Sequence, residues 1–256
     1  MIFDLDGVLL DSEPVWAATR RYVAAALGGR WWPEAERAMK GMNAPEWSAY
    51  MQHGLAIPRS SDEIVEAVLE RMSARYREDL PLIDGAAAAV ERLGDKWQLG
   101  LASSSNRVLI DLVLDLTGWA SRFAVTVSSE EVAHGKPAPD VYLEAAHRLN
   151  TDPRACVAIE DSAGGVRSAA AAGMRVVAVP SPDAPVGLDE LGLAATVLAS
   201  PAQLADEVVA PLLSDKALGR PLEHAAMGAA RASVDLWPAG GLNFGPQPGP
   251  GDSDGG

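Results

Sequence analysis

The sequence predicts an α/β fold: a parallel sheet with a helical segment inserted after its first strand. Five short apolar runs, at residues 1–5, 98–103, 125–128, 156–160 and 175–179, are each bounded by turn residues. Each is long enough for one strand buried on both faces. Helical patterns at 107–117, 140–149 and 163–172 separate the later runs. Strands alternating with helices of this length imply βαβ units and a parallel sheet. Between the first run and the second, from Pro14 to about Asp84, the pattern is helical throughout.

The first run enters a turn at Asp6-Gly7. In the helical stretch Ile64, Val65, Val68, Leu69, Met72 and Tyr76 recur at helical spacing. Ser60 and Glu63 stand just ahead of them as a capping box. Trp16, Trp31, Trp32 and Trp47 fall in the same stretch. The chain therefore divides into a core of residues 1–13 and 85–213, a helical cap of 14–84 and a tail of 214–256. From Pro238 to Gly256, 11 of 19 residues are Gly or Pro. That part cannot bury enough apolar surface to offset its ordering entropy, and disorder is expected from about residue 238.

The 256 residues are 48% hydrophobic and 22% charged, a globular composition that excludes a wholly disordered, collagen-like or coiled-coil chain. Asp and Glu outnumber Lys and Arg by 35 to 21, a net charge of −14. No basic stripe is available to neutralise phosphodiesters, so nucleic acid is not expected as a partner. No run approaches the ~18 apolar residues of a membrane span, and the N-terminus carries no signal pattern. A cytoplasmic protein, monomeric or weakly homo-oligomeric, is expected. The single cysteine, Cys156, lies among apolar neighbours and reads as a buried thiol without a disulfide partner in the chain.

Four segments carry candidate chemistry. The first is Asp4-Leu5-Asp6-Gly7, two carboxylates spaced to face the same way at the end of a strand. In a parallel sheet that end opens into the crevice where ligands bind. The second pair, Glu160-Asp161, closes a later strand. Four converging carboxylates repel unless a cation compensates, and all-oxygen anionic ligation suits a hard ion such as Mg²⁺. Asp161 and Ser162 also suit the cap of the next helix. The third segment, Ser103-Ser104-Ser105-Asn106, ends a strand at a helix start, where hydroxyls and free N–H groups favour an anion. The fourth holds Lys136 between Gly135 and two prolines, which would fix its place.

Taken in order, Asp4-Leu5-Asp6-Gly7, Ser103, Lys136 and Glu160-Asp161 resemble the haloacid dehalogenase-like superfamily of phosphohydrolases over residues 1 to about 212. The resemblance is to the branch with a helical cap after the first strand, the β-phosphoglucomutase and phosphoglycolate phosphatase type. It implies a Rossmann-like core with helices on both faces. It also implies that Asp4 is a nucleophile attacking phosphorus and Asp6 a general acid and base. Ser103, the Ser104 N–H and Lys136 would hold the phosphate. Asp4, the Asp6 carbonyl, Glu160 and Asp161 would hold Mg²⁺. The implied partner is a small phosphorylated metabolite. Glu13, Trp16, Met42, Asn43 and Trp47 are the cap residues expected to face it.

Three departures matter. Trp16 stands where the mutase has a proton-transferring histidine. Ala44 stands where the mutase cap has a phosphate-gripping arginine, and a methyl group cannot do that work. A phosphatase is therefore expected, with a mutase or a non-catalytic binding protein as alternatives. Only three residues precede Asp4, so the resemblance also predicts a start further upstream or a less stable form.

Overall fold

A computed structural model describes residues 1–39, 42–181 and 186–213. The tail expected over 214–256, and Lys40 and Gly41 of the cap loop, lie outside the described residues.

The chain opens with β1 (Ile2–Phe3) and α1 (Glu13–Ala26), then α2 (Glu34–Met39), α3 (Ala44–Ala49) and a π-turn at Tyr50–Gly54. It continues through α4 (Ser61–Glu78), α5 (Ala86–Gly94), β2 (Leu99–Ser103), α6 (Arg107–Thr117) and β3 (Phe123–Ser128). Then come α7 (Asp140–Arg148), β4 (Val157–Glu160), α8 (Ala163–Ala171), β5 (Arg175–Ala178), α9 (Leu188–Leu191), β6 (Thr196–Val197) and α10 (Asp206–Leu213). The helix expected at 107–117 is α6, residue for residue. The Ser60/Glu63 capping box opens α4, with Ser60 Oγ accepting the Glu63 N–H.

All six strands are parallel in the order β3-β2-β1-β4-β5-β6. β1 is central, and the chain leaves it towards β2 first and crosses to β4 later. That reversal is the switch point where open α/β sheets leave a crevice at the carboxyl ends of their strands.

Alternation along the strands separates two cores. Phe3, Leu99, Leu101, Val157, Ile159 and Val177 pack with α5, α6 and α10 on one face. Ile2, Ala102, Ala158, Val176 and Ala178 pack with α7 and α8 on the other. The first of these cores continues into the inserted helices through Trp16, Val23, Trp47, Met51, Ile64, Val68 and Met72. Cys156 is a buried free thiol in the second.

The first strand is shorter than its apolar run. The ladder continues only to the Asp4 N–H, which donates to Ile159 O. Beyond it the chain coils on itself, with the Leu9 and Leu10 N–H groups both donating to Leu5 O and the Gly7 N–H to Leu10 O. Leaving and re-entering the core, the chain runs as two adjacent segments joined by an antiparallel bridge at Leu10 and Leu82. The Asp11 N–H donates to Pro81 O and the Ile83 N–H to Leu9 O. No helix among the described residues is long and apolar enough to cross a membrane.

Candidate active site

The carboxyl ends of β1, β2 and β4 meet the first helix of the insert around a cavity of about 180 Å³. Asp4, Asp6, Gly7, Ser104, Lys136 and Asp161 line it from the core side. Glu13, Trp16, Met42 and Trp47 line it from the insert. Three predicted residues sit behind this wall. Ser103 is fully buried, and its Oγ accepts the Ser105 N–H at 3.0 Å. Glu160 lies beneath Lys136. Asn43 is the N-cap of α3, accepting the Glu46 N–H at 3.0 Å.

Lys136 is the hub. Its Nζ donates to Ala102 O at 3.0 Å and to Glu160 Oε1 at 2.5 Å. It lies 2.9 Å from Asp4 Oδ1 and 4.9 Å from the centroid of the Tyr142 ring. Burial favours the neutral amine, but Asp4 and Glu160 outweigh it and hold Lys136 charged well above its ordinary range.

Glu160 is wholly buried and fully engaged. Oε1 accepts from Lys136 and from Tyr142 Oη at 2.7 Å. Oε2 accepts the Asp161 and Ser162 N–H groups at 3.1 and 3.3 Å and Ser162 Oγ at 3.2 Å. The carboxylate lies flat over the first turn of α8, where a Cβ on Gly165 would come within 1.9 Å of it. Ser162 caps that helix, accepting the Gly165 N–H, which leaves the Asp161 side chain to face the cavity.

Asp4, Glu160 and Asp161 each offer an oxygen within 4.8 Å of the others. One lysine does not balance two buried carboxylates and a third that is half-buried. Burial, reinforced by Glu160 and Asp6 and opposed by Lys136, pushes Asp4 up to about 8. Burial, reinforced by Glu160 and Asp4, pushes Asp161 well above the carboxylate range. The lysine approaches Asp4 Oδ1 off the line of a hydrogen bond, so this buried oxygen has no hydrogen-bond partner. An oxygen-only donor set with surplus negative charge is what a hard divalent cation would complete.

Asp6 stands outside that carboxylate group. The expected shared strand face does not exist, because the strand ends before it and Asp6 sits in the coiled turn, bridged to Leu10. Its carboxylate is held by two hydroxyls instead: Ser12 Oγ donates to Oδ1 and Ser105 Oγ to Oδ2, both at 2.5 Å. The helix α6 start is partly committed too, since Glu130 accepts the Arg107 N–H at 2.7 Å and the Asn106 amide.

Sequence reasoning passed over Ser12, Tyr142, Gly165 and Arg20, and placed Ser105 in an anion-favouring segment rather than against Asp6. Tyr142 left a signal, a hydroxyl on the otherwise apolar face Val141, Ala145 and Ala146. So did the two glycines Gly164 and Gly165 in the first turn of a helix, where they weaken helix formation.

Comparison with known proteins agrees with this geometry. The family profile of the haloacid dehalogenase-like hydrolases matches residues 1–173. Hexitol phosphatase B of Escherichia coli (strain K12) is 36% identical over 72% of this chain and 84% of its own length. Fructose-1-phosphate phosphatase YqaB of the same organism is 31% identical over 70% of this chain and 95% of its own. The crystal structure of CbbY from Rhodobacter sphaeroides in complex with phosphate superposes with a TM-score of 0.72 at 27% identity, covering 80% of this chain and 95% of that one. The chain belongs to the haloacid dehalogenase-like hydrolase family.

Proposed function

We propose that this phosphoric monoester hydrolase is Mg²⁺-dependent and hydrolyses a small phosphomonoester metabolite, a sugar phosphate or similar, through an aspartyl-phosphate on Asp4. The observation that carries this reading is the buried cluster of Asp4, Lys136 and Asp161 at the floor of a small cavity. The names of the hexitol and fructose-1-phosphate phosphatases support the substrate class.

An Asp4 oxygen attacks phosphorus, and the bond from phosphorus to the leaving oxygen breaks. Asp6 delivers a proton to that oxygen and then takes one from the water that cleaves the acyl phosphate. The hydroxyls of Ser12 and Ser105 hold Asp6 in place for both transfers. Lys136 offsets the charge of Asp4 and phosphate together, and Glu160 and Tyr142 fix its position. Ser104 and its N–H, braced by Ser103 behind them, receive phosphate oxygens. Asp4, Asp161 and the Asp6 carbonyl would hold Mg²⁺, with Glu160 behind them adding negative charge, and the ion would neutralise charge on the phosphate and its nucleophile. Residues 14–84 form the cap over a core of 1–13 and 85–213, joined through the bridged segments at 9–11 and 81–83. Glu13, Trp16, Met42 and Trp47 then face the leaving group, with Asn43 shaping their loop through α3.

A phosphate-release screen over many phosphomonoesters tests the reading. Release that needs Mg²⁺, stops with a chelator and resumes on adding Mg²⁺ is expected. A folded, Mg²⁺-supplied protein that releases nothing across the panel would overturn it. Interconversion of 1- and 6-phosphohexoses without net release would favour the mutase.

Gly7 supplies a separate check. Its φ is +77° and a Cβ there would lie 1.9 Å from Asp161 Oδ2. Gly7→Ala is expected to displace that carboxylate and to raise the Mg²⁺ concentration for half-maximal activity by roughly 10-fold or more. The backbone strain adds about 1–2 kcal/mol of destabilisation. Mg²⁺ titration of the variant reads the first effect and urea unfolding the second.

A further inference from the structure

Among the described residues, two cations line the cavity, Lys136 and Arg20. Lys136 is taken up by Asp4, Glu160 and the Ala102 carbonyl. Arg20 has no role in the chemistry above. It lies on α1, its guanidinium carbon 4.7 Å from the Trp16 ring centroid and 5.4 Å from that of Trp47. The residue is only 7% exposed, and its Nε is buried with no hydrogen-bond partner. Burial pulls the guanidinium down to about 10, with Glu13 and Asp6 opposing, so it stays charged at neutral pH.

An apolar side chain would pack between two indoles without a desolvation penalty. A buried guanidinium with an unsatisfied donor costs stability unless a ligand completes it. Glu13, two turns earlier on the same helix face, offsets part of the charge. Asp6 is committed to two serine hydroxyls. The cavity, at about 180 Å³, would hold a phosphoryl group close to Arg20 and Glu13, so an anionic group on the leaving-group side would meet the guanidinium.

We propose that Arg20 is a substrate-binding residue that grips an anionic oxygen group on the leaving-group side, a carboxylate or a second phosphoryl group, and so selects doubly anionic substrates. The assignment rests on the phosphatase reading and extends it to substrate class. A guanidinium matches either group with a two-pronged hydrogen bond, which an ammonium cannot reproduce.

The test reads binding without turnover, in Asp4→Asn protein with Mg²⁺, by calorimetry. The probes are a hexitol 6-phosphate, the matching 6-phosphoaldonate and a hexose 1,6-bisphosphate. One doubly anionic probe is expected to bind about 10-fold or more tighter than the hexitol phosphate. Adding Arg20→Gln is expected to remove most of that preference while changing hexitol phosphate binding less than about 3-fold. Which probe holds the preference tells carboxylate from phosphoryl. Arg20→Lys, which keeps the charge and the packing stem, is expected to retain part of it and serves if Arg20→Gln does not fold. No preference, or one untouched by either variant, overturns the proposal. Phosphate release by the wild-type protein is followed in parallel. Release that ignores Arg20 leaves the phosphatase reading standing alone, whereas no release from these probes or from the wider phosphomonoester panel sinks that reading on its own account.

Discussion

Asp4→Asn is expected to lower phosphate release by roughly 10⁴-fold or more while leaving the fold intact. The amide fills the same space and cannot form an acyl phosphate. Its effect on stability has the opposite sign from its effect on activity. Asp4 is held up at about 8, far above its ordinary 3.8, chiefly by burial. A raised carboxyl gives stability that is fully present below the unfolded value and lost as pH climbs towards the folded one. Without Mg²⁺, the wild-type protein is therefore expected to lose stability between about pH 4 and about pH 8. Asp4→Asn removes that contribution to the slope. Thermal unfolding across this range in a chelating buffer, on both proteins, reads the difference. A variant less stable than wild type at pH 8 would contradict the assigned electrostatics.

Lys136→Met is the second large effect, and it falls on stability and activity together. The ammonium is 6% exposed and sits between Asp4 and a Glu160 carboxylate that is 0% exposed. Removing it strands buried negative charge, which costs about 3–5 kcal/mol, a large part of a typical domain's stability. Adding Glu160→Gln to Lys136→Met should recover part of the loss, because one stranded charge goes with it. A double-mutant cycle by urea unfolding measures the coupling. Strictly additive losses would show that the pair is not the hub the geometry describes.

Much of this fold could be read from the sequence because its strands are apolar throughout and its helices are separated from them by turn residues. α6 fell at its expected bounds since Asn106 and Gly118 mark its two ends. β6, at two residues, is too short to show a period, and α5 hides its start in the run Ala86 to Ala89. The first strand was overestimated because apolar character continues through Leu5 while the ladder stops at Asp4.

In the site, the acidic pairs and Lys136 were legible because each stands out at a strand end or between rigid neighbours. Arg20 was not, since a basic residue on a partly polar helix ordinarily reads as solvated. Only the arrival of Trp16 and Trp47 on its flanks makes it a buried group. That Ser12 and Ser105 hold Asp6 was unreadable too, because this contact is set by the coiling of residues 5–10 and not by local spacing.

The central claim is that Asp4 carries the phosphoryl group during turnover. Rapid acid quench of the Mg²⁺-supplied enzyme with its best substrate, followed by mass spectrometry of the peptide containing Asp4, tests it directly. The expected result is a phosphoryl group on the Asp4 carboxylate that hydroxylamine removes and that never forms in Asp4→Asn. Sustained phosphate release by Asp4→Asn, or a phosphoryl group trapped on another residue, would contradict it.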